Sequence, residues 1–191
     1  MYEINLIVNG EQRKAFVKAD MNLLEVLRDQ FQLTAAKCGC NCGDCGACSV
    51  ILNGVLVKSC VTNALTCDGM EVETLEGMAA GPGKLSILQE AYHLNCAAQC
   101  GFCTPGMIMA SLALLRREIL AARQRGACVV LISHDLAGDA PLADRLLALE
   151  HRKLAYDGSP AGFGGFAPVE TLAGAAAEAS ERAQGGPACC A

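Results

Sequence analysis

Residues 37–48 read KCGCNCGDCGAC, which places five cysteines within eleven positions. Three of them and one later cysteine are separated by four, two and eleven residues, namely Cys40, Cys45, Cys48 and Cys60. A C-x4-C-x2-C run followed by a distant fourth cysteine is the ligand spacing of a plant-type [2Fe-2S] cluster. The sequence therefore predicts that these four cysteines hold such a cluster.

The other residues of this loop bear on the same prediction. Glycines alternate with the cysteines, at Gly39, Gly43 and Gly46. Glycine adopts the backbone angles that a chain wrapping closely around an inorganic core requires. The alternatives are a zinc site or buried, unreactive thiols, but structural zinc favours C-x2-C pairs, and the gap from Cys40 to Cys45 is longer. The spacing does not need Cys38 and Cys42, which are interpreted as bystanders.

Composition and charge exclude several classes of function. The 191 residues carry a formal net charge of -5, without a basic block typical of nucleic-acid binding. The N-terminus does not resemble a signal peptide, and the longest apolar stretch, residues 107–115, is too short to span a bilayer. We therefore expect a cytoplasmic protein with no nucleic-acid or membrane partner. Reducing conditions there favour ligation by the thirteen cysteines over disulfides.

The N-terminal part has the pattern of a small mixed sheet packed on a helix. Five strands are predicted, at residues 2–8, 12–18, 49–52, 55–61 and 70–75. Asn9-Gly10 and Asn53-Gly54 are strong signals for tight hairpin turns between the first two and the next two strands. Asp20 is the expected N-cap of a helix with four apolar residues, Leu23, Leu24, Val26 and Leu27.

A helical period follows the Gly- and Pro-rich joint at residues 77–84. Helices are predicted at 85–95 and 106–120, with the motif QCGFCTPG, residues 99–106, between them. The second helix presents one apolar face, made of Ile108, Leu112, Leu115 and Ile119. The two helices are expected to form a helical hairpin.

The sequence changes character again after residue 119. Residues 127–132 form a continuous apolar run typical of a buried strand, 141–145 are expected to be helical, and 146–156 to form another β-hairpin. The Gly- and Ala-rich stretch 158–191 is expected to be mostly disordered, apart from a possible helix near 170–183.

Two motifs together carry a resemblance to a known family. With AKCGCNCGDCGACSVILNG, then Ser59-Cys60 and then AAQCGFCTPGMIMAS, the chain resembles the iron-sulfur subunit of the xanthine dehydrogenase family of molybdenum hydroxylases over about residues 1–116. The resemblance implies a β-grasp ferredoxin domain followed by a helical domain with a second [2Fe-2S] cluster. It also implies one partner subunit with a molybdenum-pterin cofactor, near the second cluster, and another with FAD, near the first.

The same resemblance identifies half of a second cluster site. Cys100 and Cys103 match two family ligands, and Gln99 matches a residue near the pterin. The other two family ligands come from a C-R-C stretch about thirty residues later, which this chain lacks. From the residues alone, Cys100 and Cys103 are also compatible with a redox CxxC or half of a zinc site.

The segment that replaces the missing ligands resembles a second family. ARQRGACVVLISHDL followed by ADRLLALEHRKLAYDGSP, within residues 119–160, is similar to the C-terminal end of an ABC transporter ATPase, with His134 at its switch position. The chain has no Walker A motif, because GPGKL at 81–85 lacks both the first glycine and the following Ser or Thr. We therefore expect no ATPase activity.

These observations predict the α+β fold class and four segments. They are a β-grasp ferredoxin-like domain at 1–76, a truncated helical [2Fe-2S] domain at 84–118, an α/β fragment at 119–160 and a low-complexity tail at 161–191. The predicted function is electron transfer from a molybdenum-pterin site towards flavin, with no catalytic residue on this chain. A free-standing ferredoxin-like carrier, a non-functional composite chain and a zinc-binding interaction module are the alternatives.

Overall fold

The structure, a computed structural model, describes residues 1–78, 84–132, 142–150 and 153–163. The chain divides into two compact units, residues 1–138 and residues 139–191. Within the described ranges, none of the helices combines the length and apolar character that crossing a membrane requires.

The first unit begins with the predicted hairpin. β1 (Tyr2–Val8) pairs antiparallel with β2 (Glu11–Val17) in a register that sets Val8 opposite Glu11. The two turn residues have positive φ angles, 52° at Asn9 and 82° at Gly10. Positive φ at both central residues is the requirement of a type I′ turn, which explains why Asn-Gly specifies this connection.

Three more strands complete a mixed sheet. They are β3 (Ser49–Leu52), β4 (Val55–Lys58) and β5 (Glu71–Glu73). The strand order is β2-β1-β5-β3-β4, in which β5 lies parallel to β1 and antiparallel to β3. The sheet and the helices that accompany it confirm the predicted α+β class with a ferredoxin-like sheet.

A short helical segment contributes four apolar side chains to the core. α1 (Leu23–Glu25) continues directly as a π-helical segment, Val26–Gln30. The four apolar residues predicted for this helix are all buried with β1 and β2 side chains in one core.

The N-cap of α1 is Asn22, so the prediction that Asp20 caps the helix is wrong. Asn22 Oδ1 accepts a hydrogen bond from Glu25 N at 2.9 Å, and Glu25 Oε2 accepts one from Asn22 N at 2.9 Å. This reciprocal capping box satisfies two backbone donors at the helix start. An N-cap side chain must lie within one turn of the donors it satisfies, and Asn22 directly precedes the helix.

Two further helices follow. α2 (Ile87–Leu94) is capped at its N-terminus by Ser86. The longer helix α3 (Thr104–Gln124) follows. Burial along α3 is confined to its first turns, at Gly106, Ile108 and Met109. The predicted apolar face of this helix is therefore covered only in part, since Ile108 is 3% exposed and Leu115 is 51% exposed.

The end of the first unit differs from the sequence prediction. Residues 127–132 form neither helix nor strand, and Val130 and Ile132 are 81% and 87% exposed. The prediction of a buried strand is wrong here, because an apolar run becomes a buried strand only where neighbouring strands pair with it. No isolated bridge or strand pairing involves these six residues in the described ranges.

The second unit contains the predicted C-terminal hairpin. β6 (Leu146–Glu150) pairs antiparallel with β7 (Lys153–Gly158), with a register shift between Ala148 and Leu149. The expected helix at 141–145 is wrong over residues 143–145, which are not helical. The predictions for the tail lie outside the described residues from residue 164 onward.

Candidate iron-sulfur centre

The loop between α1 and β3 meets the turn after β4 at one end of the sheet. β3 and β4 are paired so that Ser49 lies opposite Lys58. This register brings the residue before β3, Cys48, next to Cys60 on the 3-10 turn Ser59–Val61. Ser59 strengthens the junction, since its Oγ donates to the Cys48 carbonyl oxygen at 2.7 Å.

The position of Cys60 corrects one detail of the sequence prediction. We expected Cys60 on a strand, but β4 ends at Lys58 and Cys60 lies on the 3-10 turn that follows. A strand would point successive side chains to opposite faces of the sheet. The turn instead directs the Cys60 thiol back towards Cys48, with which it shares a hydrogen bond.

A second pair forms within the loop. Cys40 Sγ accepts hydrogen bonds from the backbone N–H groups of Asp44, at 3.3 Å, and of Cys45, at 3.4 Å. The pKa of the Cys40 thiol is lowered to about 6, chiefly by the backbone N–H of Cys45 and then by that of Cys42. Backbone donors favour the thiolate, which is the form of cysteine that ligates metals.

Burial has the opposite effect on Cys60. It is the main reason that the pKa of the Cys60 thiol is raised to about 11, and the hydrogen bond with Cys48 adds to the rise. The backbone N–H of Gly43 lowers the pKa of Cys60, and the charge of Cys40 raises it further. The two cysteine pairs therefore lie close to each other. Binding of a metal centre has to release the proton of Cys60.

The backbone of the loop needs glycine for two different reasons. Gly43 and Gly46 have φ angles of 86° and 73°, a region that side-chain-bearing residues avoid. At position 39 the reason is steric, because a Cβ atom on Gly39 would lie 2.7 Å from Cys45 Sγ. These features keep the chain close around the four sulfurs.

The donor set fits a two-iron cluster better than a single ion. Zinc would require four ligands around one point. A [2Fe-2S] cluster instead takes two thiolates at each of two irons. The pairs Cys40 with Cys45 and Cys48 with Cys60 match that requirement.

The residues predicted for a second cluster lie before α3. Cys100 and Cys103 are both exposed, as is Gln99, and Cys103 Sγ lies 3.6 Å from Met107 Sδ. Cys128, four residues beyond the end of α3, is also exposed. Two cysteines do not complete the ligand set of a cluster, so the residues described here do not by themselves fit a second one.

The remaining cysteines near the first site have other surroundings. Cys42 Sγ donates to Asp44 Oδ2 at 3.3 Å. The pKa of Cys42 is raised, chiefly by its hydrogen bond with the Cys40 thiol and then by this bond to Asp44. Cys38 is exposed on the same loop. Cys67 is buried in the core, and its thiol donates to the Asn63 carbonyl oxygen at 3.5 Å.

Sequence reasoning missed the way α3 meets the cluster loop. A Cβ atom at Gly106 would collide with the Gly46 carbonyl oxygen, and Phe102 lies near Gly39. The signal in the sequence was the glycine of CTPG, since glycine is a poorer helix former than alanine.

The fold and the cysteine site define the class of [2Fe-2S]-binding proteins, and comparison with known proteins agrees. The family described as "[2Fe-2S] binding domain" matches residues 74–128. The match therefore includes Cys100 and Cys103, and it extends beyond residue 116, where the resemblance was expected to end.

Relatives then narrow the class to one family. The nicotinate dehydrogenase small FeS subunit of Eubacterium barkeri is 47% identical over 115 residues, which cover 60% of this chain and 73% of that one. The xanthine dehydrogenase iron-sulfur-binding subunit of Escherichia coli O157:H7 is 41% identical over 136 residues, 71% of this chain and 82% of that one. The chain belongs to the family of small iron-sulfur subunits of xanthine dehydrogenase-type molybdenum hydroxylases.

Solved structures agree with this assignment. Quinoline 2-oxidoreductase from Pseudomonas putida 86 superposes with a TM-score of 0.60 at 30% identity, covering 75% of this chain and 91% of that chain. The aldehyde oxidoreductase from Desulfovibrio gigas superposes with a TM-score of 0.59 at 44% identity. That match covers 62% of this chain but only 13% of that much longer chain. The similarity of residues 119–160 to an ABC transporter ATPase stays a prediction, since none of these proteins is one.

Proposed function

We propose that this chain is the electron-transfer iron-sulfur subunit of a molybdenum-containing hydroxylase. The observation that carries the proposal is the convergence of two cysteine pairs at one end of a ferredoxin-like sheet, Cys40 with Cys45 and Cys48 with Cys60. A bound [2Fe-2S] cluster supplies one-electron transfer.

The chain's own residues hold, orient and shield that centre. Backbone N–H groups of Asp44 and Cys45 point at the Cys40 sulfur, where they stabilise negative charge. Cys48 and Cys60 are buried, which keeps water from that side of the site. The hydrogen bonds and the burial together are the means by which this loop sets the reduction potential.

The substrate chemistry belongs to partner subunits in this proposal. A subunit with a molybdenum-pterin cofactor would deliver electrons, and a subunit with FAD would receive them. The relatives named as small or iron-sulfur-binding subunits support this arrangement. Gln99, in the exposed turn before α3, is the proposed residue nearest the pterin, and Cys100 and Cys103 are proposed as half of a second site whose other ligands are missing.

The test is the content of iron and acid-labile sulfide per chain, measured with the visible spectrum on protein purified without oxygen. We expect about two irons and about two sulfides, and loss of both in Cys48→Ala. About four of each would mean that Cys100 and Cys103 find further ligands. A colourless protein that contains zinc and no sulfide would overturn the proposal.

The partner arrangement is tested separately by affinity purification of the full chain from its own cells. Retention of a molybdenum-containing protein and a flavoprotein is the expected result. A chain that carries its cluster but retains neither protein would instead be a free-standing carrier of the ferredoxin type.

A further inference from the structure

The first turn of α3 lies directly against the backbone of the first cluster loop. Gly106 is buried there, and a Cβ atom on it would collide with the carbonyl oxygen of Gly46 and lie 3.1 Å from the Cα atom of Ala47. The φ angle of Gly106 is not in the left-handed region. Glycine is therefore needed for close approach and not for backbone conformation.

The turn before α3 contributes an aromatic ring to the same surface. Phe102 Cε1 lies 3.8 Å from the point that a Cβ atom on Gly39 would occupy, and Cys45 Sγ lies 2.7 Å from that point. The ring thus lies over the backbone beside a cysteine of the site. Phe102 is 47% exposed, so part of the ring faces solvent while its Cε1 atom lies close to the loop backbone.

Contacts further along α3 hold this arrangement in place. Ile108 and Met109 are 3% and 1% exposed, and α3 packs against β3, the strand that begins directly after Cys48. Two turns later, Arg116 forms an ion pair with Glu73 on β5. The helix is therefore anchored to two neighbouring strands of the sheet, β3 and β5.

We propose that residues 99–106 are a cover for the first cluster, in which Gly106 and Phe102 act as positioning residues for the loop of Cys40, Cys45 and Cys48. The inference rests on the proposed function, since it requires a cluster on that loop. It assigns the QCGFCTPG motif a role that does not depend on metal at Cys100 and Cys103. This role explains how the motif retains a use in a chain that lacks the other two ligands.

Removing the cover has two expected consequences. Reduction adds negative charge to a cluster, and water stabilises that charge better than an aromatic ring does. Opening the site therefore shifts the reduction potential to more positive values. It also admits oxygen and water to the cluster, so the visible absorption is lost faster in air.

The first test compares Phe102→Ala with Phe16→Ala in the full chain, purified without oxygen. Phe16 is a matched control, since it is 52% exposed on β2. We expect Phe102→Ala to bleach several-fold faster in air and to have a more positive potential, with Phe16→Ala unchanged and Phe102→Leu close to the unaltered chain. Equal bleaching rates and potentials in all four proteins would overturn the inference.

The second test uses Gly106→Ala, with Ala113→Gly as control on the same helix. Alanine is the better helix former, so propensity alone predicts that Gly106→Ala stabilises α3 and Ala113→Gly weakens it. If residues 99–106 cover the cluster, the effect on cluster stability is the opposite of the effect on helix stability. The cluster should bleach faster in Gly106→Ala and at an unchanged rate in Ala113→Gly. If Gly106→Ala does not fold, the comparison at Phe102 decides alone.

The cluster that responds must be the first one. Its spectroscopic signal is identified as the one that Cys48→Ala abolishes. If the unaltered chain contains no iron and sulfide, the proposed function has failed. If it contains about two of each and the Phe102 and Gly106 variants behave like the unaltered chain, only the cover has failed.

Discussion

Arg116 Nη1 lies 2.8 Å from Glu73 Oε1 and 2.9 Å from Glu73 Oε2, so one guanidinium nitrogen bonds both oxygens of the carboxylate. The pair joins α3 to β5 across 43 residues of sequence. Only 17% of the Arg116 side chain and 29% of the Glu73 side chain are exposed. Partial burial of a hydrogen-bonded charge pair makes the loss of one partner costly, because the other charge remains desolvated.

The first prediction concerns the strength of this ion pair. Arg116→Ala should lower the free energy of unfolding of the full chain by about 1–3 kcal/mol. The matched control is Arg117→Ala, which removes the ion pair of Arg117 with Glu118. These side chains are 72% and 58% exposed, so the pair should contribute less than about 1 kcal/mol to the free energy of unfolding. Denaturant unfolding followed by circular dichroism measures both. Equal losses in the two variants would contradict the prediction.

The second prediction separates cluster ligands from a structural cysteine. Cys60→Ala should abolish iron and sulfide binding, because one iron would lose a thiolate. Cys67→Ala should keep the full iron content and cost about 1 kcal/mol of stability, since its buried thiol only packs and donates to the Asn63 carbonyl. Iron and sulfide analysis with thermal unfolding checks both. Loss of iron in Cys67→Ala would show that our assignment of ligands is wrong.

The third prediction tests the cap of α1. Asn22→Ala removes the hydrogen bond from Glu25 N to Asn22 Oδ1 and should cost about 1 kcal/mol. Asp20→Ala should change stability by less than about 0.5 kcal/mol, because no cap hydrogen bond involves Asp20 in the described structure. Chemical denaturation of the two variants gives the comparison. A larger effect at Asp20 than at Asn22 would restore the cap that the sequence suggested.

The fourth prediction concerns pH and the C-terminal hairpin. Arg145 Nε and Nη2 donate to the two Asp157 carboxylate oxygens at 2.6 and 2.7 Å, and these hydrogen bonds lower the pKa of Asp157. A lowered pKa in the folded state means that the pair stabilises the hairpin above the unfolded pKa of Asp157. That contribution is lost as the pH falls through the folded pKa.

The measurement is an NMR titration of the Asp157 carboxyl carbon. Arg145→Ala should move the pKa of Asp157 back towards its ordinary value. Arg145→Lys should restore part of the shift, since it keeps the charge but not the two-pronged geometry. Both side chains are well exposed, so added salt should also reduce the shift. A titration that is the same in all three proteins would rule out this ion pair in solution.

Features that depend on neighbours in sequence were predictable from the sequence. Asn9-Gly10 and Asn53-Gly54 both form their turns with positive φ at each residue, because only a few residue types tolerate that backbone conformation. The cysteine spacing and the glycines of the loop likewise point to a [2Fe-2S] cluster without knowledge of the sheet. These are short-range constraints, and the amino-acid types themselves carry them.

Only the tertiary structure decided which surfaces meet. The register of β3 with β4 brings Cys60 to Cys48, and the docking of α3 places Gly106 against Gly46, 60 residues earlier in the chain. The apolar run at 127–132 shows the converse, since it has strand composition but no strand beside it to pair with among the described residues. Apolar composition records that a segment favours burial, whereas the identity of its neighbour depends on long-range packing that no local pattern contains.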